Sequence, residues 1–176
     1  HRSLFSGGKR RATPRTWAPE RWIELARAVL ARGLVPLLTG SGAEAKVCRR
    51  IAAAAGPGCR VAAGGLHPLE LAGLCAWARA LVAGDTGPGH LAAAVGTPVV
   101  SLFGPTDPAI TGPVAPPARL RVIWHPPPCG PCPEARRREC EEPRCIDSIT
   151  VAEVMAACAG MGCLDEGEGA AAGEAP

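Results

Sequence analysis

The stretch Leu81-Val-Ala-Gly-Asp-Thr-Gly-Pro-Gly-His-Leu-Ala-Ala-Ala-Val-Gly96 decides the fold. It reads as a short apolar strand, a glycine-punctuated turn carrying Asp85, Thr86 and His90, and the first turns of a helix. Such a turn leaves backbone N–H groups without helical partners, and the helix dipole adds partial positive charge at the same place. Together they make an anion site, most often for phosphate. A second glycine-bearing strand end, Pro98-Val-Val-Ser-Leu-Phe-Gly-Pro-Thr-Asp-Pro108, follows at once. Two such strand ends side by side point to a cleft for a nucleotide or nucleotide-sugar.

Outward from that stretch the chain alternates. Residues 19–32 have a helical period that puts Trp22, Leu25, Ala26, Val29 and Leu30 on one face, with Pro19 and Glu20 suited to the first turn and Gly33 to the stop. Leu34–Thr39 reads as a strand, Gly40-Ser-Gly42 as a turn and Glu44–Ala55 as a helix ended by Gly56-Pro57-Gly58. Arg60–Ala63 is a brief strand. Pro68–Ala78 is a helix with Leu69, Leu71, Leu74 and Cys75 as its apolar positions. Ala80–Ala83 is the strand before the Asp-Thr-Gly turn, Pro88–Val95 the short helix after it, and Val99–Phe103 the next strand. Leu120–Trp124 reads as one more strand and Thr150–Gly160 as a last helix. This order is that of an α/β domain with a Rossmann-like parallel sheet and helices on both faces. Its strands are short runs of Val and Leu, as a sheet covered on both sides requires. Ligands of such sheets bind beyond the carboxyl ends of the strands, and the turns at Gly40–Gly42, Gly64-Gly65, Asp85–Gly89 and Gly104–Asp107 all belong to that edge.

With 176 residues the chain has the length of one ordinary domain. Its 47% hydrophobic content supports a core, built without Tyr and with only two Phe. Net charge is +3, but residues 1–60 hold twelve Lys and Arg against three acids, whereas residues 165–176 hold four acids and no base. The basic excess suits a polyanionic small substrate. Without interleaved aromatics it is not a nucleic-acid footprint. No signal-peptide h-region and no membrane-spanning apolar run stand out. We expect residues 1–14 to be a disordered or fragment-edge segment, 15–163 a ligand-binding domain with a Cys-rich loop at 129–145, and 164–176 a disordered acidic tail. No strand or helix pattern appears before Trp17, and the chain begins at His1, both of which point to a piece of a longer protein.

Nine cysteines are many for a cytosolic domain. Cys48, Cys59, Cys75, Cys158 and Cys163 sit among Ala, Val and Leu and are expected in the core. Cys129, Cys132, Cys140 and Cys145 are spaced in a way that fits a tetrahedral zinc, disulfides or packed thiols. The expectation is no metal, with these four as the ligands should zinc be present.

The series Trp17-x-x-x-x-Trp22, Gly40-x-x-x-Glu44, Leu69-Glu-Leu-Ala72, Asp85-Thr-Gly-Pro-x-His-Leu-Ala-Ala-Ala94, Gly96-Thr-Pro98 and Leu102-Phe-Gly-Pro-Thr-Asp-Pro108 resembles the C-terminal half of glycosyltransferase family 9, the ADP-heptose:lipopolysaccharide heptosyltransferases. The likeness runs from about Arg15 to about Gly160. It implies a GT-B architecture, in which two Rossmann-like domains face each other over a cleft. The C-terminal domain binds the nucleotide-sugar; the N-terminal domain binds the lipopolysaccharide-core acceptor and supplies the catalytic base. Transfer in the family inverts the anomeric carbon and needs no metal or other cofactor. A cytoplasmic enzyme follows, with peripheral attachment to the inner membrane left open. The Ala, Gly and Arg richness agrees with a GC-rich bacterial source.

On that resemblance the donor site consists of Asp85, Thr86, Gly87, Pro88, His90, Glu44, Arg15 and Thr106, with no catalytic base in this chain. The Thr86 and Gly87 N–H groups and the Thr86 hydroxyl would hold the pyrophosphate. Asp85, which phosphate would repel, would accept from sugar hydroxyls or anchor its turn. His90 would donate to a phosphate or hydroxyl oxygen as the leaving diphosphate gains charge. Glu44 would hold ribose hydroxyls or serve as an acid at a helix start. Arg15 replaces the family's usual Lys, and Ala18 the Pro after Trp17. Thr106 and Asp107 either line the cleft or form an Asp-Pro turn. Another GT-B transferase, a sugar-nucleotide epimerase and a non-catalytic zinc-stabilised binding module are the alternatives.

Overall fold

The computed structural model describes residues 16–133, residue 140 and residues 144–164. The segment 1–14, Arg15 and residues 165–176 of the acidic tail lie outside these described residues. Leu164, grouped with the tail on sequence grounds, is buried in the core.

Helix α1 (Pro19–Leu30) opens on a proline in its first turn and buries Trp22, Leu25 and Ala26. It stops where the Gly33 amide donates to Leu30 O, with Gly33 at φ +72°, a left-handed conformation suited to glycine. Strand β1 (Leu37–Leu38) is shorter than the predicted Leu34–Thr39, and β2 (Arg60–Val61) pairs with it in parallel. Between them Gly42–Glu44 forms a 3-10 turn that leads into α2 (Ala45–Ala55), so the regular helix starts just after Glu44. Helix α3 (Pro68–Trp77) precedes β3 (Leu81–Gly84), and α4 (Gly87–Ala94) follows it. Strand β4 (Val99–Phe103), the one-turn helix α5 (Pro108–Thr111) and β5 (Leu120–Trp124) come next, then α6 (Arg144–Asp147) and α7 (Val151–Ala159).

Every described pairing is parallel, as expected, but the strands form two sheets rather than one: β1-β2 and β3-β4-β5. Central β4 has all five residues buried. Alternate side chains of a strand face opposite sides. Val100 and Leu102 accordingly enter the main core beneath α1, α2 and α7, while Val99 joins a smaller cluster with Cys75 and Ala92 under α3 and α4. Each such side chain contributes about 1.5–3 kcal/mol of burial.

One correction concerns α3. Leu69, predicted as an apolar packing position, is 76% exposed, whereas Cys75 is buried. Leu69 lies in the first turn of α3, where nothing covers it among the described residues.

The two ends of the described chain are clasped. Trp17 is buried, packs edge-on against Trp22 with ring centroids 5.0 Å apart, and donates its indole N–H to Ile149 O at 3.0 Å.

Candidate functional site

The turn between β3 and α4 is built on Asp85 and Thr86. Asp85 is half-buried, and its Oδ2 accepts from the Thr106 hydroxyl at 2.7 Å. This bond joins the end of β3 to the end of β4, since Thr106 stands on the loop after Phe103. Thr106 is itself buried. Thr86 occupies the N-cap position of α4, but its hydroxyl donates back to Gly84 O at 3.3 Å and does not cap the helix. The hydroxyl expected on a pyrophosphate is therefore turned toward the strand.

Pro88 has no N–H, and the Gly89 amide is taken by Thr86 O at 3.1 Å. The Gly87 amide is left to carry the positive end of the helix. A Cβ on Gly87 would meet nothing within 4 Å, so its backbone faces open space. His90 stands exposed in the first turns of the same helix. The geometry offers an accessible imidazole, a helix N-terminus and a carboxylate held by a hydroxyl, all after the carboxyl end of β3.

Asp107 stands next to Thr106 on the loop after β4 and opens a helix of its own. Its Oδ1 accepts from the Ala109 amide at 2.8 Å and caps α5, so the Asp-Pro turn is the reading the structure supports. The N-cap Asp followed by Pro at N1 is a helix-start signal that would have located this element from sequence.

Glu44 follows the end of β1. It is only 2% exposed, and its Oε2 accepts from the Ser41 amide at 2.8 Å and the Ser41 hydroxyl at 2.6 Å. These bonds form a capping box. The turn is tight: a Cβ on Gly40 would lie 3.2 Å from Glu44 Cβ and 3.3 Å from Cys48 Sγ, closer than packing normally allows. Burial, seconded by the Glu44 carboxylate, pushes the Cys48 thiol up to about 11. Ser41, which orients Glu44, was not singled out from the sequence; a Ser three residues before a Glu is the signal that could have found it.

The structure thus joins Asp85 directly to Thr106 and sets His90 on the helix that Asp85's turn opens. Glu44 belongs to the neighbouring sheet and is held by its own turn. Arg15 lies outside the described residues.

The Cys-rich loop meets the same edge. The Cys132 amide donates to Pro105 O at 2.7 Å, beside Thr106. Burial raises the Cys145 thiol above its ordinary value, and the nearby Cys132 and Cys140 add to the rise. Among the described residues no group of three or more His, Cys, Asp or Glu is arranged to hold a metal ion. Cys48, Cys59, Cys75, Cys158 and Cys163 are buried as expected.

The sequence profile described as "Glycosyltransferase family 9 (heptosyltransferase)" matches residues 4–143. The chain belongs to glycosyltransferase family 9. Among family 9 proteins it is 46% identical over 121 residues to lipopolysaccharide heptosyltransferase 1 of Pseudomonas aeruginosa, covering 66% of this chain and 32% of that protein. Lipopolysaccharide heptosyltransferase 2 of Salmonella typhimurium is 32% identical over 124 residues, 68% of this chain and 36% of that protein. The solved E. coli ADP-heptose lps heptosyltransferase II superposes with a TM-score of 0.72 at 26% identity, over 85% of this chain and 43% of that one. The E. coli heptosyltransferase WaaC with ADP superposes at 0.67 with 22% identity, over 87% and 42%. This chain spans about a third of the curated relatives' length.

Proposed function

We propose that this chain is the donor-binding half of an inverting, metal-independent glycosyltransferase that moves heptose from ADP-heptose to the lipopolysaccharide core. The observation that carries this reading is the turn from Asp85 to His90, braced by the Thr106 hydroxyl at the mouth of β3 and β4. The Gly87 amide and the α4 dipole would hold the pyrophosphate, with His90 donating to it as negative charge develops on the leaving diphosphate. Asp85, fixed by Thr106, would accept from the sugar. Glu44 would meet the ribose, and Arg15 would add charge near the phosphates. These groups bind, orient and stabilise charge. The proton from the acceptor hydroxyl would go to a base on the facing domain, which also holds the acceptor. An enzyme of this kind works in the cytoplasm, at or near the inner face of the inner membrane. No described helix is long and apolar enough to cross a membrane.

Titration calorimetry with ADP tests the reading. The chain should bind ADP weakly and transfer nothing by itself. His90→Ala should abolish binding while leaving the melting temperature in place, and Asp85→Ala should abolish it in a chain that still folds, with stability lowered by the lost bond to Thr106. Unchanged titration curves would remove both residues from the site. A chelator should leave the transfer rate of the longer enzyme unaltered, and a loss restored by zinc would overturn the metal-independent step.

A further inference from the structure

Basic and acidic side chains are unevenly spread over the molecule. From Leu25 to Leu69 the chain carries six cations, Arg27, Arg32, Lys46, Arg49, Arg50 and Arg60, and all six are exposed. Its one acid over that stretch, Glu44, is buried and held by Ser41. Helix α2 organises these charges. Ala45, Cys48, Ile51 and Ala52 face the core. Helical spacing puts Lys46, Arg49, Arg50, Ala53 and Ala54 on the outer side, and all five are exposed. That face therefore presents three cations with only methyl groups between them. Helix α1 packs beside it, and Arg27 reaches across to donate to Ala54 O at 2.6 Å, which adds a fourth cation over the last turn of α2. Arg32 follows α1 and Arg60 opens β2, so both emerge beside that same end of α2, where Leu30 lies against Gly56 and Gly58.

Local helix energetics do not explain the arrangement. Lys46 and Arg50 are like charges one helical turn apart, which repel. Lys46 also stands in the first turn of α2, where the helix dipole disfavours a cation. Among the described residues none of the six has an acid within ion-pair reach, and Glu24 of α1 is taken by Arg21 at 3.3 Å. A surface that keeps this repulsion is suited to meeting negative charge. A convex helix face holds no cleft for a small anion. None of its described residues is an exposed aromatic on which a nucleobase could stack, or a large anchor of the kind that fixes a protein partner. The fitting partner spreads its negative charge over a plane. Anionic lipid headgroups attract every Lys and Arg near them and ask for no directional contact. The long aliphatic stems of those cations, with the alanines between them, can rest against such an interface while the charged ends stay in water.

We propose that the outer face of α2, with Arg27, Arg32 and Arg60 beside it, docks on the surface of an anionic bilayer. Glu44 turns inward at the start of α2, and the turn of Asp85 belongs to the other sheet, so docking by this face leaves both clear of the lipid. The inference stands independently of which nucleotide-sugar the site takes.

Vesicle sedimentation with the full chain tests it. At low salt the chain should bind vesicles of phosphatidylglycerol and phosphatidylcholine in equal parts about tenfold or more tighter than vesicles of phosphatidylcholine alone. Salt at about 1 M, where charges are screened within about 3 Å, should release it. Arg49→Gln/Arg50→Gln should weaken binding to the anionic vesicles about tenfold or more, at about fivefold per cation. Its melting temperature and its ADP titration should stay as they are, which separates this face from the donor site. Arg119→Gln/Arg121→Gln removes the same charge at β5 and should leave vesicle binding in place. An unaltered chain with no preference for the anionic vesicles would overturn the proposal. So would an equal loss in the Arg119/Arg121 variant, which would make net charge the cause. Polyglutamate that displaces the chain from vesicles at equal total charge would also overturn it and give the face to an acidic polypeptide.

Discussion

The β3-β4-β5 sheet and the β1-β2 sheet are built from similar Val- and Leu-rich runs, yet they behave differently. In the first, β4 pairs on both edges, all five of its residues are buried, and its loop reaches back through Thr106 to hold Asp85. In the second, pairing extends over only two residues of each strand, and Glu44 is held by its own turn. A strand between two neighbours positions residues far apart in sequence. A strand with one open edge leaves its loop to organise itself by local capping. The candidate site draws on both kinds of support.

That contrast can be broken by mutation. The largest effect is expected at β4: Leu102→Ala should cost about 2–5 kcal/mol, whereas Leu37→Ala, half-buried in β1, should cost less than about 1.5 kcal/mol. Urea denaturation measures both, and equal losses would erase the distinction between the sheets. Thr106→Val removes the bond to Asp85 and should cost about 1–2 kcal/mol together with a loss of ADP affinity. Ser41→Ala should cost about 1 kcal/mol through the lost cap of the Gly42–Glu44 turn alone. If Ser41→Ala harmed ADP binding as much as Thr106→Val, the two turns would be equally part of the site.

Gly87→Ala sharpens the comparison further. Its Cβ meets open space in the protein, so stability should stay within about 0.5 kcal/mol. ADP affinity should fall about tenfold if a pyrophosphate approaches that backbone. Unchanged affinity would move the phosphate elsewhere.

The smallest expected effect lies in α7, which packs on both β4 and β5. The Thr150 hydroxyl and amide, followed by His125, hold the Glu153 carboxyl below its ordinary range. A depressed carboxyl contributes stability above its unfolded pKa, about 4.3. That contribution is lost as pH falls through the lower folded value. Glu153→Gln should flatten the acid limb of a stability curve slightly, since the side chain is partly exposed and solvent screens it. A curve unchanged by the substitution would remove the cap from the acid response.

The parallel α/β order was legible because it rests on local signals: helical periods, apolar runs and glycines at strand ends. Leu120–Trp124 and Val99–Phe103 form strands over the predicted residues. The extent of β1 was not legible, because apolar residues from Leu34 onward say nothing about which backbone groups find a partner. Leu69 misled for a related reason: its period fits a packed helix, and only the tertiary arrangement leaves it uncovered. The turn of the site was visible in Asp85, Thr86 and Gly87. Its brace was not, because Thr106 and Asp85 are 21 residues apart and meet only when β3 and β4 pair. The Trp17–Ile149 clasp spans 132 residues and leaves no local trace.

That clasp gives the molecule a built-in optical gauge. The sequence holds four tryptophans, no tyrosine and only two weakly emitting phenylalanines, so indole light dominates its near-ultraviolet emission. Trp17 and Trp22 are sealed in the core and should emit toward the blue, whereas Trp77, 85% exposed on α3, should emit toward the red. Loosening the clasp would shift the blue component alone, allowing its release to be followed in real time without a label.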